Sequence, residues 1–454
     1  MKLPKFRLRR QRVGVVGLYR SGKTVFLTSL INHLQNHNPH HFRLGRGDVK
    51  LTYSGELKPS RFAEFPYLQY RNQLVNAKEW PVKTREVSEY CCRYYRSDWR
   101  VSRGELSIVD FPGERLADLM MAKASYDEWS DIILAIFRNH QEYSSLAGSY
   151  LDIIDGGELS EAAVIDAYRQ LLLTLFLAFR PVVSPSSFLL SPEGRWLGDV
   201  GQDQRMDQCF SGLDASKQFS PLSDDARRRN PQLRKRFARR YEEYRQQIAL
   251  PLAKWMKSCD ALTVLIDVTT LLAGGEGMYQ GNRELLGNLM QQLTPGRNYF
   301  GISVDILSRV LAPVHGPLNY LLDLNWHEIS KVAFVATKAD KVHESDRQRL
   351  CDLVKEMTEP LIASHRERAV SLDVGYFACA AVKSTRSTAN GKLQAFVGED
   401  HPSAFTPSRV PEQWPKTWQY GTYKFPNMAP WVPPRRDAAP DHIELNRVVD
   451  FLIG

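Results

Sequence analysis

The stretch Gly17-Leu18-Tyr19-Arg20-Ser21-Gly22-Lys23-Thr24 governs how the rest of this sequence is interpreted. It fits the pattern G-x-x-x-x-G-K-[ST], which is informative only where a strand precedes it and a helix follows it. A short β-branched run at residues 13–16 predicts the strand, and apolar side chains at helical spacing predict a helix over residues 25–34. The sequence therefore predicts a strand, a phosphate-binding loop and a helix in succession.

Each residue type in this loop has a chemical role. Gly17 and Gly22 admit backbone conformations that other residues avoid, so that successive N–H groups point at phosphate oxygens. Lys23 brings a mobile positive charge to the outer phosphates, and the Thr24 hydroxyl completes the octahedral shell of Mg²⁺. The predicted nucleotide contacts in the loop are Gly17, Tyr19, Arg20, Ser21, Gly22, Lys23 and Thr24.

A second phosphate contact is predicted at the end of a later strand. An apolar run at residues 105–110 ends in Asp110, and Gly113 follows it. A carboxylate at the carboxyl end of such a strand holds Mg²⁺ through water, and a glycine N–H approaches the γ-phosphate closely because no side chain intervenes. The pattern D-x-x-G is weak by itself, but its position behind a phosphate loop and a strand makes it a strong signal.

A third element argues for guanine over adenine. Residues 331–336 have the pattern of a buried strand and run into Thr337-Lys338-Ala339-Asp340. An aspartate in this place accepts hydrogen bonds from N1–H and the 2-amino group of guanine, which adenine does not offer in that arrangement. The Lys338 stem packs over the base plane.

The last predicted contact follows a strand at residues 374–379, where a backbone N–H and a lysine reach guanine O6. The predicted nucleotide contacts outside the first loop are Gly113, Thr337, Lys338, Asp340, Ala381, Val382 and Lys383.

The composition limits the class of protein. The chain has 454 residues, of which 43% are apolar and 24% charged, and this length predicts two or three domains. No apolar run reaches the roughly 18 residues that span a bilayer, and no signal peptide precedes the first strand. The six cysteines lack metal-binding spacing and are typical of buried thiols in a reducing compartment, so we expect a cytoplasmic protein without a structural metal site.

Positive charge is concentrated in two segments, and the net charge is +9. Residues 1–12 form a basic arm without an acidic residue, which suits an anionic membrane surface or nucleic acid, with a solvated tail as an equal alternative. Residues 227–245 carry arginines on a predicted helix, where interleaved acidic and aromatic residues favour a solvated face. The sequence thus leaves free cytoplasmic and peripheral membrane locations open and disfavours a nucleic-acid partner.

These patterns predict an α/β fold of the P-loop NTPase type, with a mostly parallel sheet flanked by helices. The discontinuous core comprises residues 13–114 and 259–385. Helix-forming patterns dominate residues 115–258, which we interpret as a mainly helical insertion of about domain size. Residues 386–454 are rich in Pro and Trp, look irregular and end in an amphipathic helix.

The four motifs, in this order on alternating strands, resemble those of P-loop GTPases of the Ras-like kind. More narrowly, the loop at residues 17–24, the segment Val109-Asp110-Phe111-Pro112-Gly113-Glu114, the helical insertion and the Pro/Trp-rich tail together resemble the bacterial YcjX-like family of nucleotide-binding proteins. The resemblance covers essentially the whole chain. It implies a GTP-binding protein that uses GTP or GDP with Mg²⁺ and is associated with envelope or heat stress.

The resemblance also assigns roles that the residues alone do not. In small GTPases a threonine just before the strand predicted at residues 87–95 closes over Mg²⁺, and Thr84 has that position here, with an ordinary surface threonine as the alternative. Small GTPases place Gln after D-x-x-G to orient the attacking water, whereas Glu114 is an anion that needs compensation by Arg20 or Arg115. We therefore expect slow hydrolysis, with catalytic residues Lys23, Glu114 and Thr84 and metal ligands Thr24, Thr84 and Asp110.

Three functions are compatible with the sequence. The preferred hypothesis is a regulatory GTPase whose insertion reports the nucleotide state to an unidentified effector protein, either free or membrane-associated. An ATP-dependent kinase or motor ATPase is disfavoured by residues 337–340 and by Phe111, which stands where a second acidic residue would follow Asp110. A nucleotide-stabilised scaffold with negligible turnover is supported by Glu114 and by the bulky Tyr19 in the phosphate loop.

Overall fold

The computed structural model of the chain describes residues 7–18, 21–45, 49–81, 86–99, 102–139, 141–157, 159–178, 183–190, 213–293, 329–366, 372–388, 390–395, 404–435 and 437–454. Three residues predicted for the site, Tyr19, Arg20 and Thr84, lie outside these ranges, as do residues 1–6 of the predicted arm.

An eight-stranded sheet forms the centre of the described molecule. The strands of this sheet are β1 (Arg7–Gly17), β2 (Leu51–Leu57), β3 (Ala63–Glu64), β4 (Ser88–Arg96), β5 (Ser102–Phe111), β6 (Ala261–Ile266), β7 (Lys331–Ala336) and β8 (Asp373–Ala378). They follow the order β2-β4-β5-β1-β6-β7-β8, and β3 pairs with β4 beside this path. Parallel pairing joins β5, β1, β6, β7 and β8, whereas β4 runs antiparallel to β5 and to β2. The predicted α/β fold with a mostly parallel sheet is therefore confirmed.

Strand β1 begins at Arg7, well before the short apolar run that predicted it. Residues 7–12 carry few apolar side chains, so hydrophobic patterning does not reveal them as a central strand. Backbone pairing with β5 and charge compensation across the sheet hold them in place, since Arg10 Nε lies 3.1 Å from a carboxylate oxygen of Glu105. The prediction of a basic arm is therefore wrong for residues 7–12.

Helices cover both faces of this sheet. The first is α1 (Lys23–Gln35), which follows β1 as predicted. A 3₁₀-helix spans Gly113–Ala122, directly after β5. The other α-helices span Tyr67–Asn72, Tyr126–Asn139, Gln141–Asp155, Glu161–Leu177, Asp224–Arg229, Pro231–Tyr244, Leu250–Lys257, Val268–Gly274, Glu276–Leu293, Arg347–Arg366 and Leu445–Ile453.

Two hydrophobic clusters lie on the two faces of the sheet, as the alternation of side chains along β1 requires. Val13 and Val15 belong to one cluster, together with Phe26 of α1. Val16 belongs to the other, together with Trp129 of the helix Tyr126–Asn139. The helical segment between β5 and β6 thus shares a continuous core with the sheet.

The arginine-rich segment is engaged in ion pairs between helices. Arg240 of the helix Pro231–Tyr244 lies 2.6 Å from Glu161, and Arg236 lies 2.8 Å from the same carboxylate. Arg227 lies 2.8 Å from Asp131 of the helix Tyr126–Asn139. These arginines therefore join helices of this region to one another, which refines the prediction of a solvated face.

Free thiols were expected at the cysteines. Five of the six cysteines fall in the described ranges and all five are free, with Cys91 and Cys351 half-buried and Cys92, Cys259 and Cys379 buried. The expectation of free, mostly buried thiols is confirmed at these positions.

No helix among the described residues has both the length and the apolar composition needed to cross a bilayer.

A histidine cluster joins the end of α1 to the C-terminal segment. The His33 ring stacks on Phe42 with centroids 4.5 Å apart and meets the edge of His442 at 4.9 Å. His33 Nε2 donates to the carbonyl oxygen of Pro440 (3.1 Å). Burial, reinforced by the neighbouring His442, lowers the pKa of His33 to about 3. Burial likewise lowers the pKa of His442.

We predict that acidification from pH 7 to pH 5 lowers the free energy of unfolding partly through His33. Its ring stays neutral in the folded chain but binds a proton below pH 6.5 in the unfolded chain, so this contribution is complete above pH 6.5 and is lost as the pH falls toward 3. The loss amounts to about 2 kcal/mol at pH 5. His33→Gln does not titrate, so its free energy of unfolding, measured with urea, should depend less steeply on pH. The exposed His40→Gln is the control, and equal slopes in all three proteins would contradict the prediction.

Candidate functional site

Five parallel strands end at the same edge of the sheet, and the loops that follow β1, β5, β7 and β8 line a cavity of about 500 Å³. Open α/β sheets bind ligands in such a crevice outside the carboxyl ends of their strands. The predicted site residues that line the cavity are Gly17, Ser21, Gly22, Lys23, Thr24, Gly113, Glu114, Thr337, Lys338, Asp340, Ala381 and Val382.

The two phosphate elements lie against each other through glycines. A Cβ atom on Gly113 would stand 2.1 Å from the carbonyl oxygen of Gly17, so only glycine fits at position 113 without a shift of the backbone. Gly22, at the start of α1, has a φ of 78°, a left-handed conformation that favours glycine. The backbones of the first loop and of residue 113 are therefore held together at one point.

The floor of the cavity carries opposite charges. The Lys23 ammonium forms an ion pair with Oδ1 of Asp110, whose side chain is buried at the end of β5. Asp110 Oδ2 and Ser21 Oγ are buried and have no hydrogen-bond partner within the described residues. Buried polar atoms are nearly always satisfied, so these two oxygens mark a place where a ligand is expected. Asp110 is not among the residues that line the cavity, whereas its ion-pair partner Lys23 is.

These oxygens fit a hard divalent cation. Mg²⁺ takes oxygen ligands in an octahedral shell and keeps several waters, so one carboxylate and one hydroxyl suffice from the protein. Asp110 offers the unpartnered Oδ2, and the largely buried Thr24 lies at the cavity in the first turn of α1. The donor set of Thr24 and Asp110 is therefore compatible with the predicted metal.

The part of the cavity predicted to hold the base is organised by Asp340. Its Oδ2 accepts hydrogen bonds from the backbone N–H (2.8 Å) and the hydroxyl (2.6 Å) of Ser384. The Thr385 hydroxyl donates to the backbone carbonyl of Asp340. The loops after β7 and β8 are thereby tied together, and the carboxylate has a defined orientation. The sequence analysis missed Ser384 because a single serine beyond the last motif carries no pattern.

The loop after β8 is held from outside by two other parts of the chain. The Ser29 hydroxyl of α1 donates to the carbonyl oxygen of Ala381 (2.6 Å). The backbone N–H of Lys383 donates to the carbonyl oxygen of Asp441 (2.9 Å) in the C-terminal segment. Lys383 is not among the described residues that line the cavity, so its predicted contact with the base finds no support here.

Other lining residues were not predicted either. Trp80 and Pro81 reach the cavity from the segment before β4, and Asn427 reaches it from the C-terminal region. Trp80 is 39% exposed. Its place in a long segment without periodicity gave no signal in the sequence.

Arg115 is one of the two residues expected to compensate the negative charge of Glu114. Its side chain is directed away from the cavity, toward the helices between β5 and β6. Its guanidinium donates to the hydroxyls of Ser187 (2.7 Å) and Tyr244 (3.1 Å), and it lies 3.6 Å from Asp118. Among the described residues it does not line the cavity.

Known proteins resemble this chain over nearly its whole length. A sequence model of the YcjX-like family, DUF463, matches residues 11–454. Two curated relatives, from Shewanella oneidensis and Escherichia coli K12, both carry the name Ras-like GTPase YcjX. Each is 25% identical to this chain over 98% of its length, and the matches cover 94% and 96% of the relatives.

A phosphate loop between β1 and α1, at the carboxyl edge of a mostly parallel sheet, defines a P-loop NTPase fold. Because the family match spans nearly the whole chain, the protein belongs to the YcjX-like family.

We predict that Gly113→Ala destabilises the fold by about 2 to 3 kcal/mol, because the added methyl group meets the Gly17 carbonyl and forces the two loops apart. Urea unfolding measures the change. The matched control is Gly148→Ala in the helix Gln141–Asp155, where a Cβ meets nothing within 4 Å and helix propensity should raise stability by up to about 1 kcal/mol. Equal effects in the two variants would contradict the predicted contact.

Proposed function

We propose that this protein is a regulatory switch that binds guanine nucleotides and slowly hydrolyses GTP with Mg²⁺. The observation that carries the proposal is the meeting of three loops at one edge of the sheet, where residues 17, 18 and 21–24, Gly113 and Asp340 contribute to a single cavity. The name that both relatives carry, Ras-like GTPase YcjX, supports the same function.

At the phosphate end, the backbone of the first loop and Lys23 bind the β- and γ-phosphates in this proposal. The buried ion pair between Lys23 and Asp110 keeps the ammonium poised at the cavity floor. A polyphosphate offers Lys23 a second anionic partner. Thr24 and Asp110 would hold Mg²⁺, which supplies charge neutralisation between the phosphates when bound. Gly113 N–H is assigned to the γ-phosphate.

At the base end, Asp340 is assigned to the N1–H and 2-amino groups of guanine. The hydrogen bonds from Ser384 fall on one oxygen, Oδ2, and fix the plane of the carboxylate before a nucleotide arrives. Such preorganisation reduces the entropic cost of binding. Ser384 is therefore proposed as a supporting residue for base recognition.

A nucleotide-stabilised scaffold with negligible turnover is the second candidate. The segment Gly113–Ala122, which would respond to the γ-phosphate, is a 3₁₀-helix with mostly buried side chains. Asp118 of this segment accepts a hydrogen bond from the Ser186 hydroxyl (2.6 Å), and Arg115 donates to Ser187. These bonds favour a segment that either stays fixed or moves together with the helical region.

The remaining parts of the proposal rest on the sequence and on the family resemblance. The effector would contact the helical region, because that region shares a core with the sheet and bonds directly to Arg115. Residues 1–6 would make any contact with a membrane, because Arg10 is paired with Glu105 within the sheet. A cytoplasmic location and a role in the stress response complete the proposal.

We predict that wild-type protein with Mg²⁺ binds GDP and GTP far more tightly than ADP in calorimetric titrations. Asp340→Asn should weaken GDP binding about 10- to 100-fold, because a charged acceptor for two donors is lost. It should bind xanthosine diphosphate better than wild type does, because the xanthine C2 carbonyl accepts from the new amide. Ser384→Ala should lower the affinity for GDP about 3- to 10-fold, because Asp340 loses the hydroxyl that orients it.

The matched control for this titration is Asp352→Asn, an exposed aspartate on the helix Arg347–Arg366. Equal affinity for ADP and GDP, unaffected by Asp340→Asn, would mean that the protein is an ATP-using P-loop enzyme.

We predict that Glu114→Gln raises the single-turnover rate of GTP hydrolysis about 10-fold. Glu114 lines the cavity, and its anion repels the γ-phosphate, whereas a neutral amide can orient the attacking water. The exposed Glu243→Gln is the control, and Lys23→Ala should lose nucleotide binding. A lower rate in Glu114→Gln would assign Glu114 to proton transfer, and no turnover in either protein would favour the scaffold.

A further inference from the structure

An ion pair between the half-buried Lys338 and the buried Asp267 lies beside the cavity. The sequence patterns predicted Lys338 as a site residue but did not predict Asp267. Asp267 directly follows β6, and Lys338 follows β7, the next strand in the sheet. Lys338 Nζ lies 2.6 Å from Asp267 Oδ2, and the side chains are 28% and 1% exposed. The loop after β6 therefore takes part in the site through a lysine that belongs to the loop after β7.

Asp267 is rigidly held. Its Oδ1 accepts from the Thr269 hydroxyl (2.6 Å) and from the backbone N–H of Thr270 (2.9 Å), and its Oδ2 accepts from the Thr270 hydroxyl (2.5 Å). The bond to Thr270 N–H caps the helix Val268–Gly274. Burial alone would raise the pKa of Asp267, but the ammonium groups of Lys338 and Lys341 hold that pKa below its usual value. Lys338 thus faces a fixed, ionised carboxylate.

Lys338 passes close to the phosphate loop where its ammonium meets Asp267. Its backbone has a φ of 57°, the left-handed conformation. A Cβ atom added to Gly22 would lie 3.7 Å from Lys338 Cε, so the end of the lysine stem lies near Gly22. The ion pair with Asp267 holds the ammonium at the far end of this stem.

We propose that Asp267 is a positioning residue for nucleotide binding, which holds the Lys338 ammonium and so keeps the lysine stem stretched across Gly22 as a surface for the guanine base. The inference rests on the proposed function, because it assigns the ligand to the same cavity. Asp267 also keeps the Lys338 charge at the base end. A released ammonium would be drawn toward the phosphate positions that Lys23 serves, and the surface beneath the base would be lost.

The test measures how fast a fluorescent GDP derivative dissociates from the full chain in stopped-flow experiments with Mg²⁺. Asp267→Asn keeps an oxygen for the helix cap but removes the charge, and it should accelerate dissociation about 10-fold. Lys338→Gln should have a similar effect. The double variant should dissociate no faster than Lys338→Gln alone, because Asp267 acts through Lys338. Accelerations that multiply in the double variant, or a wild-type rate in Asp267→Asn, would overturn the proposal.

Two further variants keep the test decisive. Asp260→Asn removes a carboxylate at the opposite end of β6, where Asp260 accepts from the Arg12 backbone N–H, and it should dissociate at the wild-type rate. Thr270→Val retains the Asp267 charge and removes only the hydroxyl bond to Oδ2. If Asp267→Asn does not fold, a modest acceleration in Thr270→Val that disappears in the Lys338→Gln background supports the proposal. An unchanged rate in Thr270→Val then overturns it.

Failure of this inference is distinguishable from failure of the proposed function. Wild-type protein that does not bind the GDP derivative, or an Asp340→Asn variant that binds it as wild type does, would refute guanine-nucleotide binding at this cavity. Suppose instead that wild-type protein binds the GDP derivative tightly, that Asp340→Asn loses this binding, and that the derivative dissociates from Asp267→Asn at the wild-type rate. That result would refute only the role of Asp267.

Discussion

The contact between the loops that follow β1 and β5 is the constraint on which the rest of the site depends. Gly113 lies so close to the Gly17 carbonyl that no side chain fits there, and Lys23 pairs with Asp110 directly beneath. Both contacts require the parallel pairing of β1 with β5, which runs from Arg7 to Val16. The long polar half of β1 therefore contributes to the site by fixing the strand that carries the phosphate loop.

The helices between β5 and β6 pack directly against the strands that carry this contact. Its large aromatic residues share a core with Val16 and Phe111, the side chains at the ends of β1 and β5. Arg115 and Asp118 extend the connection through buried hydrogen bonds to Ser187 and Tyr244. Buried polar networks are costly when broken, because each unpaired group loses its solvation. A movement of the segment after Gly113 would therefore involve these helices.

The C-terminal segment closes the opposite end of the site. Ile443 exchanges backbone hydrogen bonds with Ala380 (2.8 and 3.1 Å), and Asp441 accepts from the backbone of Lys383. The same segment carries His442, which packs against His33 at the end of α1. The loop after β8 is thus braced by a segment far away in sequence, and that segment is in turn braced by the histidine cluster.

Much of this architecture was predictable because its signals are local. A phosphate loop is a property of consecutive residues, and buried parallel strands show as short β-branched runs, so β5, β7 and β8 were located correctly. Most predicted site residues line one cavity for the same reason, since parallel strands end at a common edge. Strand β1 was predicted too short because pairing, rather than apolar patterning, holds its first half.

The sequence by itself determined the fold class, the order of the motifs and the chemistry available in each loop. Only the tertiary structure decided which side chains meet across those loops. Ser384 orients Asp340, Asp267 binds Lys338, Arg115 points into the helices, and the backbone N–H of Lys383 donates to the C-terminal segment. Each of these contacts joins residues on separate strands or segments. Their distances depend on how those elements pack, and residue spacing along one chain does not encode that packing.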